Sequence, residues 1–248
     1  MQLIKNKLKL RDYQEQVLAK IYNKNSFLVL PTGTGKTIVA IALSGLKIKD
    51  GKILMLAPTK PLVIQHKDSF DEYFDETDKI TILTGATPPL ARKELWNNSQ
   101  IICATPQTVE SDLIKKYFNP LDFSLIIFDE AHRAVGEYAY TWLAKKFFSC
   151  SQILAMSASP ASTNERLAEI KSNLYIKHFE FRDESMLRNF IKDKSQEKIF
   201  LELTNTQKEI SKLLKNILRD NVEILYSHEL IKSKDESKLR KTQLLLLQ

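Results

Sequence analysis

Pro31-Thr32-Gly33-Thr34-Gly35-Lys36-Thr37 follows a short apolar run, Ser26 to Leu30, and opens a stretch of helical pattern, Lys36 to Lys47. Strand, glycine-bearing loop and helix in that order are the setting of a phosphate-binding loop. Gly33 and Gly35 let the backbone approach an anion and turn its N–H groups toward it. The start of the helix adds its positive dipole end. The Lys36 ammonium can reach the β- and γ-phosphates of a nucleotide, and the Thr37 hydroxyl can bind Mg²⁺. Pro31, Thr32 and Thr34 complete the cradle. The strict pattern asks for a glycine five residues before Gly35, where this chain has Leu30. A glycine-rich turn without a ligand is the plainer alternative, and the agreement of strand, loop, Lys-Thr pair and helix speaks against it.

Working outward from the loop, apolar runs alternate with amphipathic stretches. Strands are predicted at Ser26 to Leu30, Lys52 to Leu56, Ile80 to Leu83, Gln100 to Ala104, Ser124 to Phe128 and Gln152 to Met156, with a seventh at Ile176 to Phe181. Most are continuously apolar, as strands buried on both faces are. Helices are predicted at Arg11 to Tyr22, Lys36 to Lys47, Leu62 to Phe74, Gln107 to Tyr117, Tyr140 to Phe148 and Asn164 to Leu174; in the first, Val17, Leu18, Ile21 and Tyr22 fall at helical spacing. Strand then helix, repeated, makes an α/β fold: a parallel sheet covered by helices on both faces. Ligands of such sheets bind at the carboxyl ends of the strands.

The polar residues sit where that rule puts them. Asp129-Glu130-Ala131-His132 follows Leu125-Ile126-Ile127-Phe128. An acidic pair at the end of a buried strand is costly without a cation. One carboxylate can hold Mg²⁺, directly or through water, and the other can polarise an attacking water. Taken alone the pair also reads as a helix start whose acids favour the dipole; the phosphate loop tips the reading toward the metal. Ala57-Pro58-Thr59-Lys60 and Ala104-Thr105-Pro106-Gln107 end two further strands, Thr84-Gly85 a third and Ser157-Ala158-Ser159 a fourth. Hydroxyl residues and helix N-termini suit phosphate contacts, although Thr and Pro at such places also serve as caps.

The bulk composition leaves room for this. The chain has 248 residues, 43% hydrophobic and 27% charged, an ordinary globular balance. Its net charge of +7 suits a polyanionic partner or a solvated surface. The two cysteines, Cys103 and Cys150, lack metal-like spacing and read as free thiols in a reducing cytosol, so a cytoplasmic location is expected. The first residues lack the apolar core of a signal peptide, and no stretch reaches the length of a membrane span. After about Asn205 the sequence turns helical and strand-poor, at Gln207 to Arg219 and Glu229 to Leu247, so that residues 205–248 read as a helical appendage to a lobe of residues 1–204. The run Leu244 to Leu247 needs something to pack against.

Together these residues resemble superfamily 2 helicases, over most of residues 8 to 182. Arg11-Asp12-Tyr13-Gln14 is similar to the adenine-recognition segment, residues 31 to 37 to motif I, and 58 to 66 to motif Ia. Gly85 and residues 104 to 107 resemble the next nucleic-acid motifs, 129 to 132 the DEAH form of motif II, and 157 to 159 motif III. Asp129 to Gly136 with Tyr138-Ala139-Tyr140, and Ser157-Ala158-Ser159-Pro160, look like the archaeal Hef and eukaryotic FANCM branch; Met186-Leu187-Arg188 departs from it. The resemblance implies a RecA-like lobe that takes ATP and Mg²⁺. Lys36, Asp129 and Glu130 would carry the chemistry, with Thr37 and Asp129 on the metal and Arg11, Gln14 and residues 31–37 on the nucleotide. His132, Ser157 and Ser159 would couple the ATP site to movement, and Thr59, Lys60, Gly85, Thr105 and Gln107 would touch nucleic acid. Forked or branched DNA is the expected partner; Dicer and the RIG-I-like sensors share the layout, which keeps RNA open, as does a non-catalytic binding module. The tail resembles the start of a helical insert between two motor lobes. The family's second lobe brings an arginine-bearing motif to the γ-phosphate, and nothing after Ser159 resembles it. That lobe is expected in cis or in trans, and little turnover is expected without it.

Overall fold

In the computed structural model, residues 8–161, 163–187 and 201–231 are described. The chain divides into two compact units, Met1–Lys192 and Asp193–Gln248.

The first unit is built on seven strands: β1 (Ser26–Val29), β2 (Lys52–Leu56), β3 (Ile80–Leu83), β4 (Ile101–Ala104), β5 (Phe123–Phe128), β6 (Gln152–Ser157) and β7 (His178–Phe181). They pair in the order β3-β4-β2-β5-β6-β1-β7, all in parallel. Each strand therefore ends at the same edge of the sheet. The helices are α1 (Asp12–Ile21), α2 (Lys36–Lys47), α3 (Lys60–Tyr73), α4 (Pro89–Asn98), α5 (Pro106–Ile114), α6 (Ala139–Phe147) and α7 (Asn164–Asn173).

Side chains alternate across a strand, and that alternation sorts the core into two layers. Leu28, Ile53, Met55, Cys103, Leu125, Ile127 and Leu154 face one way and pack with Val17 and Ile21 of α1, Val39 and Leu43 of α2, and Val63 and Phe70 of α3. Phe27, Val29, Leu54, Ile102, Ile126, Phe128 and Ala155 face the other and pack with Trp96, Val109, Tyr140, Leu143, Phe147 and Ile170 of α4 to α7. Both faces are dry, which is why the strands read as unbroken apolar runs.

Six of the seven predicted lobe strands agree with the observed ones to within a residue; β7 starts two residues later than expected. The helix α4 was not foreseen. Its core-facing positions are Arg92 and Trp96, and an arginine at the core-facing position hides the apolar period that marks a helix. Arg92 is buried against Asp112 of α5, with Nε 2.7 Å from Oδ2 and Nη2 2.7 Å from Oδ1. Trp96 Nε1 donates to the same carboxylate at 2.9 Å. A further Arg92 nitrogen donates to the Thr87 carbonyl, so this buried cluster also holds the turn after β3.

Burial pushes the Cys103 thiol far above its ordinary range, with nearby Asp71 a smaller cause in the same direction, while Cys150 is half exposed. A thiolate-directed reagent is therefore expected to modify one cysteine in the folded chain, Cys150, with Cys103 reacting only in denaturant. Peptide mapping after alkylation reads this out; equal labelling of both native thiols contradicts the buried placement.

In the second unit, α8 (Asn205–Ser227) is longer at both ends than the predicted Gln207 to Arg219. Thr204 and Gln207 form a reciprocal capping box, with Gln207 Oε1 accepting from Thr204 N at 2.9 Å. Its Ile210, Leu213, Leu214, Ile217 and Leu218 are exposed. Of the helix predicted from Glu229, residues 229 to 231 form a turn, with Glu229 at φ +57°; the remainder, including Leu244 to Leu247, lies outside the described residues, as does Arg188. Among the described residues no helix is long and apolar enough to cross a membrane.

Candidate ATP site and nucleic-acid edge

The strand order lays the motifs along one edge. From β3 inward come Gly85, then Thr105 after β4, Thr59 and Lys60 after β2, Asp129 after β5, Ser157 at the end of β6, and the phosphate loop after β1. Candidate nucleic-acid residues thus fall on three adjacent strand ends and candidate chemical residues on the next three.

The loop is shaped by two left-handed glycines, Gly33 at φ +78° and Gly35 at φ +84°. At Gly35 the requirement is double, because a Cβ there would lie 2.5 Å from the Gln14 side-chain nitrogen. Leu30, where a glycine is expected, continues the ladder: its amide donates to the Ser157 carbonyl at 3.2 Å and its side chain is fully buried. One residue past β1, position 30 still bonds to β6 and has no left-handed backbone, so nothing in its conformation calls for glycine.

Gln14 ties α1 to the loop. Its Oε1 accepts from Arg11 N at 2.9 Å, and its Nε2 donates to the Thr34 carbonyl at 3.2 Å. The Tyr13 hydroxyl donates to that same carbonyl. The Thr34 side chain is buried and its hydroxyl donates to the Pro31 carbonyl at 2.6 Å. Thr34 therefore braces the loop from within, through its hydroxyl and its carbonyl. The Lys36 ammonium lies across the loop, donating to the carbonyls of Leu30 at 2.9 Å and Pro31 at 3.3 Å. Thr37 sits in the first turn of α2, and Arg11 is exposed at the cap of α1.

The acidic pair splits into two environments. Asp129 is buried, its amide donating to Leu56 O at 2.9 Å and its carbonyl accepting from the Tyr140 hydroxyl at 2.7 Å. Its Oδ2 is 2.8 Å from Nε2 of His66, a residue of α3 at the end of the motif Ia stretch with no role of its own expected from sequence. Glu130 takes the left-handed conformation at φ +50°, which breaks away from the strand direction and leaves its side chain about a third exposed. Its Oε2 lies 3.2 Å from His132 Nδ1, and the same nitrogen lies 3.1 Å from Ser157 Oγ. Ser159 N donates to Ser157 Oγ at 3.4 Å. Glu130, His132, Ser157 and Ser159 thus form one chain of contacts between the ends of β5 and β6.

Among the described residues no three acidic, histidine or cysteine side chains group closely enough to cage a metal ion. Thr37 and Asp129 are hard oxygen donors, and so few protein ligands suit Mg²⁺, which keeps waters and takes phosphate oxygens. The residues present fit that ion.

On the other half of the edge, Thr59 caps α3 and Lys60 opens it, both exposed; Thr105 caps α5, and Gln107 and Gly85 are exposed. The Thr105 hydroxyl pairs with Thr108 Oγ1 at 2.9 Å.

A seven-stranded parallel sheet with this loop, this acidic pair and this order of strand-end motifs defines a RecA-like superfamily 2 helicase lobe of the Hef and FANCM kind. The chain belongs to the family described as "Type III restriction enzyme, res subunit", whose model matches residues 7–162. It is 40% identical over 237 residues to a Methanocaldococcus jannaschii protein named as an ATP-dependent RNA helicase, covering 93% of this chain and 30% of that one. It is 36% identical over 227 residues to the ATP-dependent DNA helicase MPH1 of Saccharomyces cerevisiae, covering 86% and 23%. The crystal structure of the Pyrococcus furiosus Hef helicase domain superposes with a TM-score of 0.74 at 39% identity, covering 98% of this chain and 54% of that chain. The chain therefore spans less than a third of these curated relatives and about half of the solved helicase domain.

Proposed function

We propose that this lobe binds ATP with Mg²⁺ and forms one half of an ATP-driven DNA helicase or translocase acting on forked or branched DNA. The observation that carries the reading is the strand order, which puts the ends of β1, β6 and β5, with the phosphate loop, Ser157 and Asp129, beside the ends of β2, β4 and β3, with Thr59, Thr105 and Gly85, on one sheet edge. In the nucleotide complex Lys36 leaves the Leu30 and Pro31 carbonyls for phosphate oxygens, a charge-assisted exchange. Bound Mg²⁺ supplies charge neutralisation at the β- and γ-phosphates. Asp129 holds the metal side through its buried carboxylate. Glu130, about a third exposed and past the end of the strand, orients the attacking water and accepts its proton. His132, Ser157 and Ser159 carry the change in contacts at Glu130 toward β6. Thr59, Lys60, Gly85, Thr105 and Gln107 hold the backbone of the nucleic acid, so binding is sequence-tolerant and weakens as salt rises.

Residues 1–204 form the motor lobe in this reading, and 205–248 begin an insert between lobes, consistent with the long α8. The site is completed by a second lobe, in cis or in trans, that brings an arginine to the γ-phosphate; such an arginine is worth roughly 10³–10⁵ in rate in related phosphoryl transfers. The test is ATP turnover by the 248-residue chain with branched DNA, with and without an added second lobe. Turnover that rises on adding it supports the reading; robust DNA-stimulated turnover by the chain alone contradicts it. RNA is the second reading, favoured by the name of the M. jannaschii relative. Competition between branched DNA and duplex RNA for the same lobe separates the two.

Lys36→Ala is expected to weaken Mg·ADP binding by roughly 1.5–3 kcal/mol, the size of a hydrogen bond to a charged group. Calorimetry measures it, and equal affinity of variant and parent rules out the loop as the nucleotide site.

A further inference from the structure

Val63, His66 and Phe70 run down the buried side of α3 at helical spacing. Two of the three are ordinary core residues. The third places an imidazole, 4% exposed, in a layer otherwise filled by aliphatic and aromatic side chains. Its Nε2 is 2.8 Å from Asp129 Oδ2, and its Nδ1 is buried with no hydrogen-bond partner. A polar atom shut from water without a partner is destabilising, and each such atom in a native fold calls for an explanation. Packing does not supply one, since leucine would fill the position without that cost.

The topology does. Strands β2 and β5 are neighbours, with Leu56 beside Phe128, and α3 starts directly after β2. The second turn of α3 therefore comes down on the carboxylate that follows β5. A carboxylate only accepts hydrogen bonds, so Nε2 must be the donor. Asp129 has no other side-chain partner among the described residues, and its second oxygen is left for a cation's shell.

We propose that His66 is a positioning residue for the Asp129 carboxylate. By holding Oδ2 it fixes the carboxylate rotamer that would leave Oδ1 for a cation, and it does so from the helix that follows Thr59 and opens at Lys60, both candidate nucleic-acid residues. This rests on the reading of Asp129 as the Mg²⁺-side carboxylate. Partners that orient a metal's ligands typically change metal affinity by about 10–100-fold when removed.

The test compares binding of a fluorescent ADP to the 248-residue chain in Mg²⁺ and in EDTA, which requires no turnover. His66→Leu and His66→Gln have similar bulk and differ in the hydrogen-bond donor; His66→Met is a second donor-less variant should leucine fail to fold. The metal-free affinity reports the fold of the loop. His66→Leu is expected to lower the Mg²⁺ advantage by about 10–100-fold with the metal-free affinity unchanged, and His66→Gln to restore most of it. Asp129→Ala separates the two claims. If Asp129→Ala abolishes the Mg²⁺ advantage while His66→Leu keeps it, His66 has no positioning role and the reading of Asp129 stands. If both variants keep it, the reading of Asp129 falls and takes the proposal with it. An equal loss in EDTA and Mg²⁺ assigns His66 to packing alone and overturns the proposal.

Discussion

Glu130→Gln, placed in a complete motor that carries this lobe, is expected to lower ATP hydrolysis by roughly 10²–10⁴-fold, the usual contribution of a positioned general base, with nucleotide affinity near that of the parent. The two carboxylates of the pair stand in different surroundings. Asp129 is buried and held from both backbone and side chain, so it cannot turn toward a moving water. Glu130 departs from the strand at a positive φ and keeps access to solvent. Glutamine keeps the shape but gives up the charge that, in the proposed role, would take the proton. Loss of binding in parallel with turnover places Glu130 among the ligand contacts. Near-parent turnover removes it from the chemistry.

Asp112→Ala is expected to destabilise the lobe by about 3–5 kcal/mol, because it leaves a buried guanidinium without its counter-ion. Asp112 is fully buried and receives both prongs of Arg92 together with the Trp96 indole. Three elements meet there: α4, α5 and, through the Thr87 carbonyl, the turn that carries Gly85. The loss is therefore global and reads out in urea unfolding. Replacing Arg92 and Asp112 together by apolar residues of similar volume is expected to recover much of it, since the cost lies in the orphaned charge. An Asp112→Ala variant within about 0.5 kcal/mol of the parent, the range of ordinary surface changes, contradicts the buried pairing.

The sheet was legible because of its burial. Strands covered on both faces must be apolar throughout, so β2, β5 and β6 stand out in the sequence as Lys52 to Leu56, Ser124 to Phe128 and Gln152 to Met156. The phosphate loop was legible because its chemistry is local: Gly33, Gly35, Lys36 and Thr37 lie within one turn of chain. What escaped notice depends on tertiary contact. Arg92 sits at a core position of α4 that only Asp112, twenty residues on, makes tolerable, and the helix vanished from the pattern with it. His66 reads as one more polar residue of motif Ia until β2 and β5 are known to be neighbours. Tyr140 opens a predicted helix in the sequence, and its hydroxyl, held to Asp129 O and far above its ordinary pKa through burial, joins the site only in the fold. Leu30 shows the converse. The missing glycine loosens the match to the loop pattern, and in the structure Leu30 follows β1 directly and still bonds to Ser157 of β6.

The central claim is that the edge formed by the ends of β1, β5 and β6 is a nucleotide site. Backbone amide shifts of the 248-residue chain on adding Mg·ADP test it most directly. The expected perturbations cluster at residues 31–38, at Arg11 to Gln14 and at 129–132, and in Lys36→Ala they need roughly 10–150-fold more nucleotide to appear, the equivalent of the expected loss in binding. A shift pattern that spares the loop, or that survives Lys36→Ala unchanged, contradicts the account.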